Sequence, residues 1–315
     1  MNGSRHLPKT FLRTVIDAVR RLGPALLLTI GLTNANLALA EADSLLRMAS
    51  SGRITLGVRD TTVPLSYMDA GGAHVGYHLD VCQHVVGAIR RRFDMPALKV
   101  VVVPTTLATR FAMLNNHTVD MDCGHNTVNP AAMQQALLSH ATLIVDVQIM
   151  TREDTAVRSV ADLNGRTVGV VVGSTAVPAL RVAARKAQLK VREVPSRHEA
   201  EAFQLLEQGR VDAIAFSTPY ELAMRARAAE PRRFVLLDTV LRTDPVALMF
   251  NLEDERLHGL ANEVLVGLMR SGEMGRLYSK WFEQPIPGQP QPLGMPLPPR
   301  LMRLFSQPGA ELLEL

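Results

Sequence analysis

The sequence predicts an α/β protein of two lobes joined by two crossing segments, and three observations carry that expectation. Strand-like apolar runs alternate with helical patterns, which is how a sheet flanked by helices reads. The alternation occurs twice, before and after an extended run at residues 142–151 (TLIVDVQIMT), and it returns through a second extended run near residues 237–246. A chain of 315 residues, 47% hydrophobic and 20% charged, is long enough for two cores. Two lobes with two crossings imply a hinge with a cleft beside it. The expected division is a first lobe of residues 41–146 and 240–315 and a second of residues 147–239.

The beginning of the chain differs in kind from the rest. Arg5, Lys9, Arg13, Arg20 and Arg21 precede an apolar run at residues 22–33, and Ala38-Leu39-Ala40 follows. A basic stretch, an apolar stretch and an A-x-A site are the order of a secretory signal, here residues 1–40, and they send the mature chain out of the cytoplasm. The apolar run falls short of the roughly 20 residues that a membrane span needs; an uncleaved anchor is the alternative. Those 40 residues hold five of the 34 Lys and Arg and one of the 30 Asp and Glu, so the net charge of +4 belongs to the leader and the remainder is neutral. With no basic stripe interleaved with aromatics, a nucleic-acid partner is excluded. Cys82 and Cys123 are the only cysteines, and an oxidising compartment leaves a single disulfide and two buried thiols equally open.

In chain order, residues 42–51 read as a helix that turns at Gly52 into a strand at residues 54–58, with Arg59 at its carboxyl end. Open α/β sheets bind ligands at such ends. Asp80 opens a helix whose Val81, Val85, Val86 and Ile89 share one face, while Arg90, Arg91 and Arg92 read as its solvated end. His74, His78 and His84 lack metal-ligand spacing and read as solvated. Four valines at residues 100–103, closed by Pro104, predict a strand buried on both faces. Thr105 or Thr106 then caps a short helix carrying Arg110, which Asn115, Asn116 and His117 break. A strand at residues 119–123 runs into Gly124, where backbone can approach a ligand, and on to His125, Asn126 and Thr127. Arg110 is thus near two strand ends, and its guanidinium fork matches a carboxylate in a bidentate way.

Residues 130–138 read as helical. In the second half a strand at residues 168–172 meets Gly173-Ser174-Thr175 at the start of a helix over residues 177–188. That junction offers backbone N–H groups and two hydroxyls to an anion, although the glycines and lysine of a phosphate loop are missing. A strand at residues 191–194, a helix over Glu199–Glu207, a strand within residues 209–215 and a helix at residues 219–229 follow. Strands at residues 234–237 and 246–251 and helices at residues 255–271 and 275–282 close the pattern. The proline-rich run at residues 285–299 is extended, and residues 307–315 carry no signal.

With these pieces in order, the chain resembles the polar amino-acid-binding family of periplasmic solute-binding proteins over residues 42–308, and within it the glutamate/aspartate binders. The resemblance is carried by Gly57-Val58-Arg59 with Val63-Pro64-Leu65-Ser66-Tyr67, by Val75-Gly76-Tyr77 followed by Asp80, and by Arg110 after Pro104. Asp122-Cys123-Gly124 with Thr127, Ala161-Asp162-Leu163-Asn164-Gly165 and Gly173-Ser174-Thr175 continue it. Leu206-Glu207-Gln208-Gly209-Arg210, Ser271-Gly272-Glu273 and Lys280-Trp281-Phe282 complete it. It implies a Venus-flytrap protein, monomeric and without cofactor, that captures a small carboxylate-bearing solute and hands it to a membrane ABC permease. It further implies that Arg110 forks the ligand α-carboxylate, helped by Thr127 and by Ser174 and Thr175 of the other lobe. Arg59 would meet a second carboxylate, with Thr106 and Glu199 lining the pocket.

The departures from the family pattern bear on the ligand. Ser217 stands where the family has an acid that accepts the ligand ammonium, and Ala132 where it has a second arginine. His125 replaces a small hydroxyl residue and Glu199 a histidine. Three readings stay open: an amino acid whose ammonium Glu199 accepts, a plain or keto dicarboxylate, or altered binding. Periplasmic dehydratases and sensors share the fold; an enzyme would have Glu199, His198 and His125 as its titratable candidates.

Overall fold

The computed structural model describes residues 43–289 and 291–308, so the expected leader lies outside the described residues. Helix α1 (Ser44–Ser51) is capped by Asp43, whose side chain accepts from Leu45 N, and ends at Gly52. Strand β1 (Arg53–Val58) follows. The short strands β2 (Thr61–Thr62), β3 (Ser66–Met68) and β4 (His74–Val75) form a separate small sheet. Helix α2 (Tyr77–Arg92) begins after Gly76, whose φ is 143° and where a Cβ would stand 2.3 Å from Leu65 O, so no side chain fits. Tyr77, Val81, Val85 and Ile89 recur every fourth residue and are fully buried, so one stripe of α2 packs on the sheet.

Strand β5 (Lys99–Pro104), helix α3 (Arg110–Asn115) and strand β6 (Met121–Thr127) complete the first βαβ pattern. Both strands pair with β1 in parallel. After one helical turn, α4 (Pro130–Met133), and the two-residue strand β7 (Leu137–Leu138), the chain enters β8 (Leu143–Arg152). The second lobe holds β9 (Thr167–Val171), α5 (Ala176–Lys186), β10 (Arg192–Ser196) and α6 (Glu199–Glu207). Strand β11 (Ala213–Ser217), helix α7 (Thr218–Arg227) and the short β12 (Phe234–Leu236) follow. Strand β13 (Arg242–Phe250) then returns.

The two crossing strands are the hinge of the architecture. Residues 143–147 of β8 pair with residues 242–246 of β13 antiparallel, and residues 147–151 of β8 go on to pair with β11. The far half of β13 pairs with β6. One sheet therefore runs through both lobes in the order β10-β9-β11-β8-β13-β6-β1-β5. The cleft lies where the parallel strands of each lobe end. Helices α8 (Glu255–Arg270) and α9 (Glu273–Tyr278), and a π turn over Ser279–Glu283, return to the first lobe. There Asp80 accepts from Lys280 Nζ at 2.6 Å and Trp281 Nε1 at 2.7 Å.

Cys82 on α2 and Cys123 on β6 form a disulfide across 41 residues of sequence, which settles the open pairing. It fixes α2 behind the strand that carries His125 and Thr127. Closing a loop of that length restricts the unfolded chain, and replacing both cysteines by serine is expected to cost about 2–4 kcal/mol. Urea unfolding of the oxidised protein and the double variant checks this; equal midpoints would contradict it.

Several expectations are corrected. The four-valine strand is an edge strand, not one buried on both faces: β5 pairs with β1 alone, and Val101 and Val102 are 39% and 38% exposed. A valine run satisfies a sheet edge as well as its centre, because β-propensity does not distinguish the two. Residues 130–138 form one helical turn and a bridge strand, because Leu137 and Leu138 pair with β13. His78 is fully buried, bonded to Gly124 O at 2.6 Å and Thr142 Oγ1 at 2.8 Å, and burial is the main reason its pKa falls to about 4. The proline-rich tail leads into a helix, α10 (Pro299–Ser306), that the sequence reading did not anticipate. Arg300 at its start donates to both oxygens of Asp146 on β8, at 2.8 and 2.7 Å.

Candidate ligand site

A cavity of about 380 Å³ lies in the cleft, and all nine residues singled out from the sequence line it. Arg59, Thr106, Arg110, His125 and Thr127 come from the first lobe, and Ser174, Thr175, Glu199 and Ser217 from the second. Each sits at the end of a strand or in the first turn of a helix, where side chains point out of the sheet and N–H groups are unpaired.

The first-lobe wall is cationic. Arg59 leaves the end of β1 and is 6% exposed. Its Nη1 donates to Thr105 Oγ1 and lies 3.5 Å from Asp122 Oδ2, and its Nη2 meets Asn126 Oδ1 at 3.5 Å. Asp122 is fully buried and also accepts from Thr105 Oγ1, Gly124 N and Asn126 Nδ2 at 2.8 to 2.9 Å. Gly124 is needed here because a Cβ would stand 2.8 Å from Arg59 Nε. The group that approaches its backbone is thus a guanidinium, and not the ligand that the sequence reading expected.

Arg110 opens α3 and is held differently. The preceding turn is closed by reciprocal bonds between Thr106 and Thr109, as Thr109 N donates to Thr106 Oγ1 at 3.2 Å and Thr106 N to Thr109 Oγ1 at 3.0 Å. Thr106 therefore closes the turn ahead of α3, while the N-cap residue of α3 is Thr109 and not Thr105 or Thr106 as the sequence reading expected; Thr105 turns inward to Asp122. Arg110 Nη1 donates to His125 O at 3.0 Å and Asn126 Oδ1 at 3.2 Å, both neutral acceptors. Its Nε is buried without a partner, and no carboxylate among the described residues forms an ion pair with it. Burial, then the neighbouring Arg59, pulls its pKa down to about 10, so it remains charged at neutral pH. A buried cation that no carboxylate contacts, with Asp122 acting on it only from beyond ion-pair distance, is a site for an anion.

The second lobe faces it with donors. Ser174 Oγ is buried and has no partner. It precedes α5, whose first N–H groups lack intrahelical acceptors. Thr175 does not offer its hydroxyl as expected: Thr175 Oγ1 donates to Asp244 Oδ2 on β13 at 2.6 Å. Ser217 ends β11 and is 6% exposed. Tyr220 on α7 was missed by the sequence reading, yet its hydroxyl is buried without a partner and its ring packs edge-on against His125 at 5.1 Å. An aromatic residue three positions past a strand end was the only available signal. His125 Nε2 is likewise buried and unpartnered, and burial followed by His78, Arg110 and Arg59 lowers its pKa to about 3, so its ring is neutral.

Acceptors are scarce. Glu199 and Asp60 are the carboxylates that line the cavity. Glu199 opens α6, and burial raises its pKa although Arg59 and His198 oppose the shift. Ala132 is buried in α4 and does not line the cavity, so Arg59 and Arg110 are the arginines of the first-lobe wall; Arg197 of the second lobe also lines the cavity and is paired with Glu201 Oε2 at 3.1 Å.

Fold and site together define a two-lobed protein whose lobes meet over a buried pocket that favours an anionic solute. Residues 54–284 match the family of bacterial extracellular solute-binding proteins, family 3, and the chain belongs to that family. It is 28% identical over 286 residues to the glutamate/aspartate import solute-binding protein of Escherichia coli K12, covering 90% of this chain and 95% of that one. It is 28% identical over 293 residues to the L-glutamate/L-aspartate-binding protein of Pseudomonas aeruginosa, covering 91% and 97%. Among solved structures, a mutant of ArgBP from T. maritima superposes with a TM-score of 0.67 at 22% identity, covering 76% of this chain and 99% of that one. An ancestral amino acid-binding protein described as a precursor of cyclohexadienyl dehydratase superposes with a TM-score of 0.66 at 24% identity, covering 76% and 99%. These two likenesses concern the fold. No helix among the described residues is long and apolar enough to cross a membrane.

Proposed function

We propose that this chain is a periplasmic carrier that captures an acidic or polar amino acid, glutamate- or aspartate-like, and delivers it to an ABC permease. The observation that carries the reading is Arg110, a buried guanidinium with neutral protein partners and an unpartnered Nε, lining the same cavity as the unpartnered Ser174 hydroxyl of the opposite lobe. One ligand carboxylate satisfies both, and the same contact ties the lobes together. Thr127 and the first N–H groups of α5 add to that grip, Arg59 takes a distal carboxylate, and Thr106, His125 and Ser217 complete the wall. The two relatives named for glutamate and aspartate support this ligand class. In this reading residues 1–40 are a cleaved leader, and the lobes comprise residues 41–146 with 240–315 and residues 147–239. The exchange of strand partners along β8 at Val147 supports that division.

A carrier is favoured over an enzyme of the same fold by the chemistry of the pocket. Donors are aimed at charge already present on a solute, and His125, with a pKa near 3, is too weak a base to take a proton at neutral pH. A thermal-shift panel of amino acids, dicarboxylates and keto acids tests the proposal. At a hundredfold excess over Kd, an acidic amino acid is expected to raise Tm by about 5 °C or more. A flat panel would contradict it.

A further inference from the structure

We propose that Glu199 is the residue that selects an amino acid over the same acid lacking its amino group, by accepting the ligand ammonium. The inference rests on the binding role proposed above. A zwitterion seated with its carboxylate on Arg110 brings a cation into a pocket whose other wall carries hydroxyls and guanidinium groups, and a buried ammonium needs an anionic acceptor.

The nearby carboxylates can be taken in turn. Asp122 is enclosed by Arg59, Thr105, Gly124 and Asn126 and does not reach the cavity. Asp244 accepts from Thr175 Oγ1 and Arg242 Nε. Glu221, one turn beyond Ser217 on α7, points into the lobe, where its Oε1 accepts from Phe216 N at 3.3 Å, and it does not line the cavity. Asp60 does line it, but its side chain is 48% exposed and holds His74 Nε2 at 2.9 Å. Glu199 remains. It lines the cavity, and the hydrogen bond it makes among the described residues is to its own amide at the start of α6. The unpartnered hydroxyl of Tyr220 feels its charge from α7, and Ser217 lines the same pocket. Ser217 alone offers a neutral oxygen, which cannot neutralise an ammonium.

Calorimetry on the purified protein with L-glutamate against glutarate, and L-aspartate against succinate, tests the assignment. The wild type is expected to prefer each amino acid by about tenfold or more, the worth of a charge-assisted hydrogen bond. Glu199→Gln should remove most of that preference by weakening glutamate or aspartate, while glutarate and succinate, relieved of a neighbouring carboxylate, bind at least as tightly as to the wild type. A preference that survives in Glu199→Gln, or a wild type that binds glutarate as tightly as glutamate, overturns the assignment and leaves the carrier reading standing. Failure of the wild type to bind any of the four removes both.

A second measurement guards against a misfolded variant. Arg59 just past β1, His198 at the N-cap of α6 and Tyr220 from α7 face Glu199, and burial raises its pKa before ligand arrives. Glutamate affinity of the wild type should therefore be level at higher pH and fall as Glu199 takes up its proton, by up to about tenfold per pH unit. Glutarate affinity should not show that fall. Parallel pH profiles for the two ligands would overturn the assignment.

Discussion

Arg110→Ala is expected to weaken binding of an acidic amino acid by about 100-fold or more, corresponding to roughly 3 kcal/mol. The reasoning starts from the ligand-free protein. Arg110 is 8% exposed, its neighbours His125 O and Asn126 Oδ1 are neutral, and the like charge of Arg59 lies close enough to depress its pKa. A carboxylate therefore removes an electrostatic penalty already present in the empty pocket and adds a bidentate bond. The alanine variant should melt no lower than the wild type without ligand, since an uncompensated buried charge has gone. Its ligand-induced shift should vanish. Arg110→Lys keeps the charge but loses the fork, and is expected to recover only part of the affinity. Calorimetry that finds Arg110→Ala unchanged would take Arg110 out of the site.

Asp122→Asn is expected to destabilise the fold by about 3–5 kcal/mol, because it leaves Arg59 buried without its anion. Burial pushes the Asp122 carboxyl up, but Arg59, Asn126, Thr105 and Arg110 outweigh it and hold the pKa below the ordinary value. A depressed acid contributes stability that is present above its unfolded pKa and lost as pH falls through its folded one. Wild type and variant should differ most at neutral pH and converge in acid. The asparagine also puts a donor where one carboxylate oxygen accepted, facing either Gly124 N and Asn126 Nδ2 at the Oδ1 position or Arg59 Nη1 and Thr105 Oγ1 at the Oδ2 position. Urea midpoints that coincide at pH 7 would contradict this reading of the Arg59 and Asp122 pair.

Much of this arrangement could be read from local signals. The bounds of α6 at Glu199–Glu207 follow from its acidic first turn and from Ala202, Phe203 and Leu206 on one face. The junctions at Arg59, at Arg110 and at Gly173-Ser174-Thr175 follow from apolar runs that stop at polar groups, and all of them border one cavity. What escaped the sequence depends on partners distant along the chain. Thr175 gives its hydroxyl to Asp244, 69 residues on, and no spacing rule announces that. His78 looks solvated until Thr142, 64 residues away, closes over it. Four valines fit an edge strand as readily as a central one, and only the pairing of β5 with β1 alone decides. Tyr220 belongs to the pocket because α7 turns it toward His125, which lies 95 positions earlier and in the other lobe.

The claim on which the account rests is that Arg110 of one lobe and Ser174 of the other hold the same carboxylate. A crystal structure of the protein grown with L-glutamate or L-aspartate tests it most directly. The account predicts one ligand carboxylate at hydrogen-bond distance, about 3 Å, from both the Arg110 guanidinium and Ser174 Oγ. A ligand seated on Arg59 with Arg110 turned to other partners, or lobes that close without Ser174 touching it, would contradict the account.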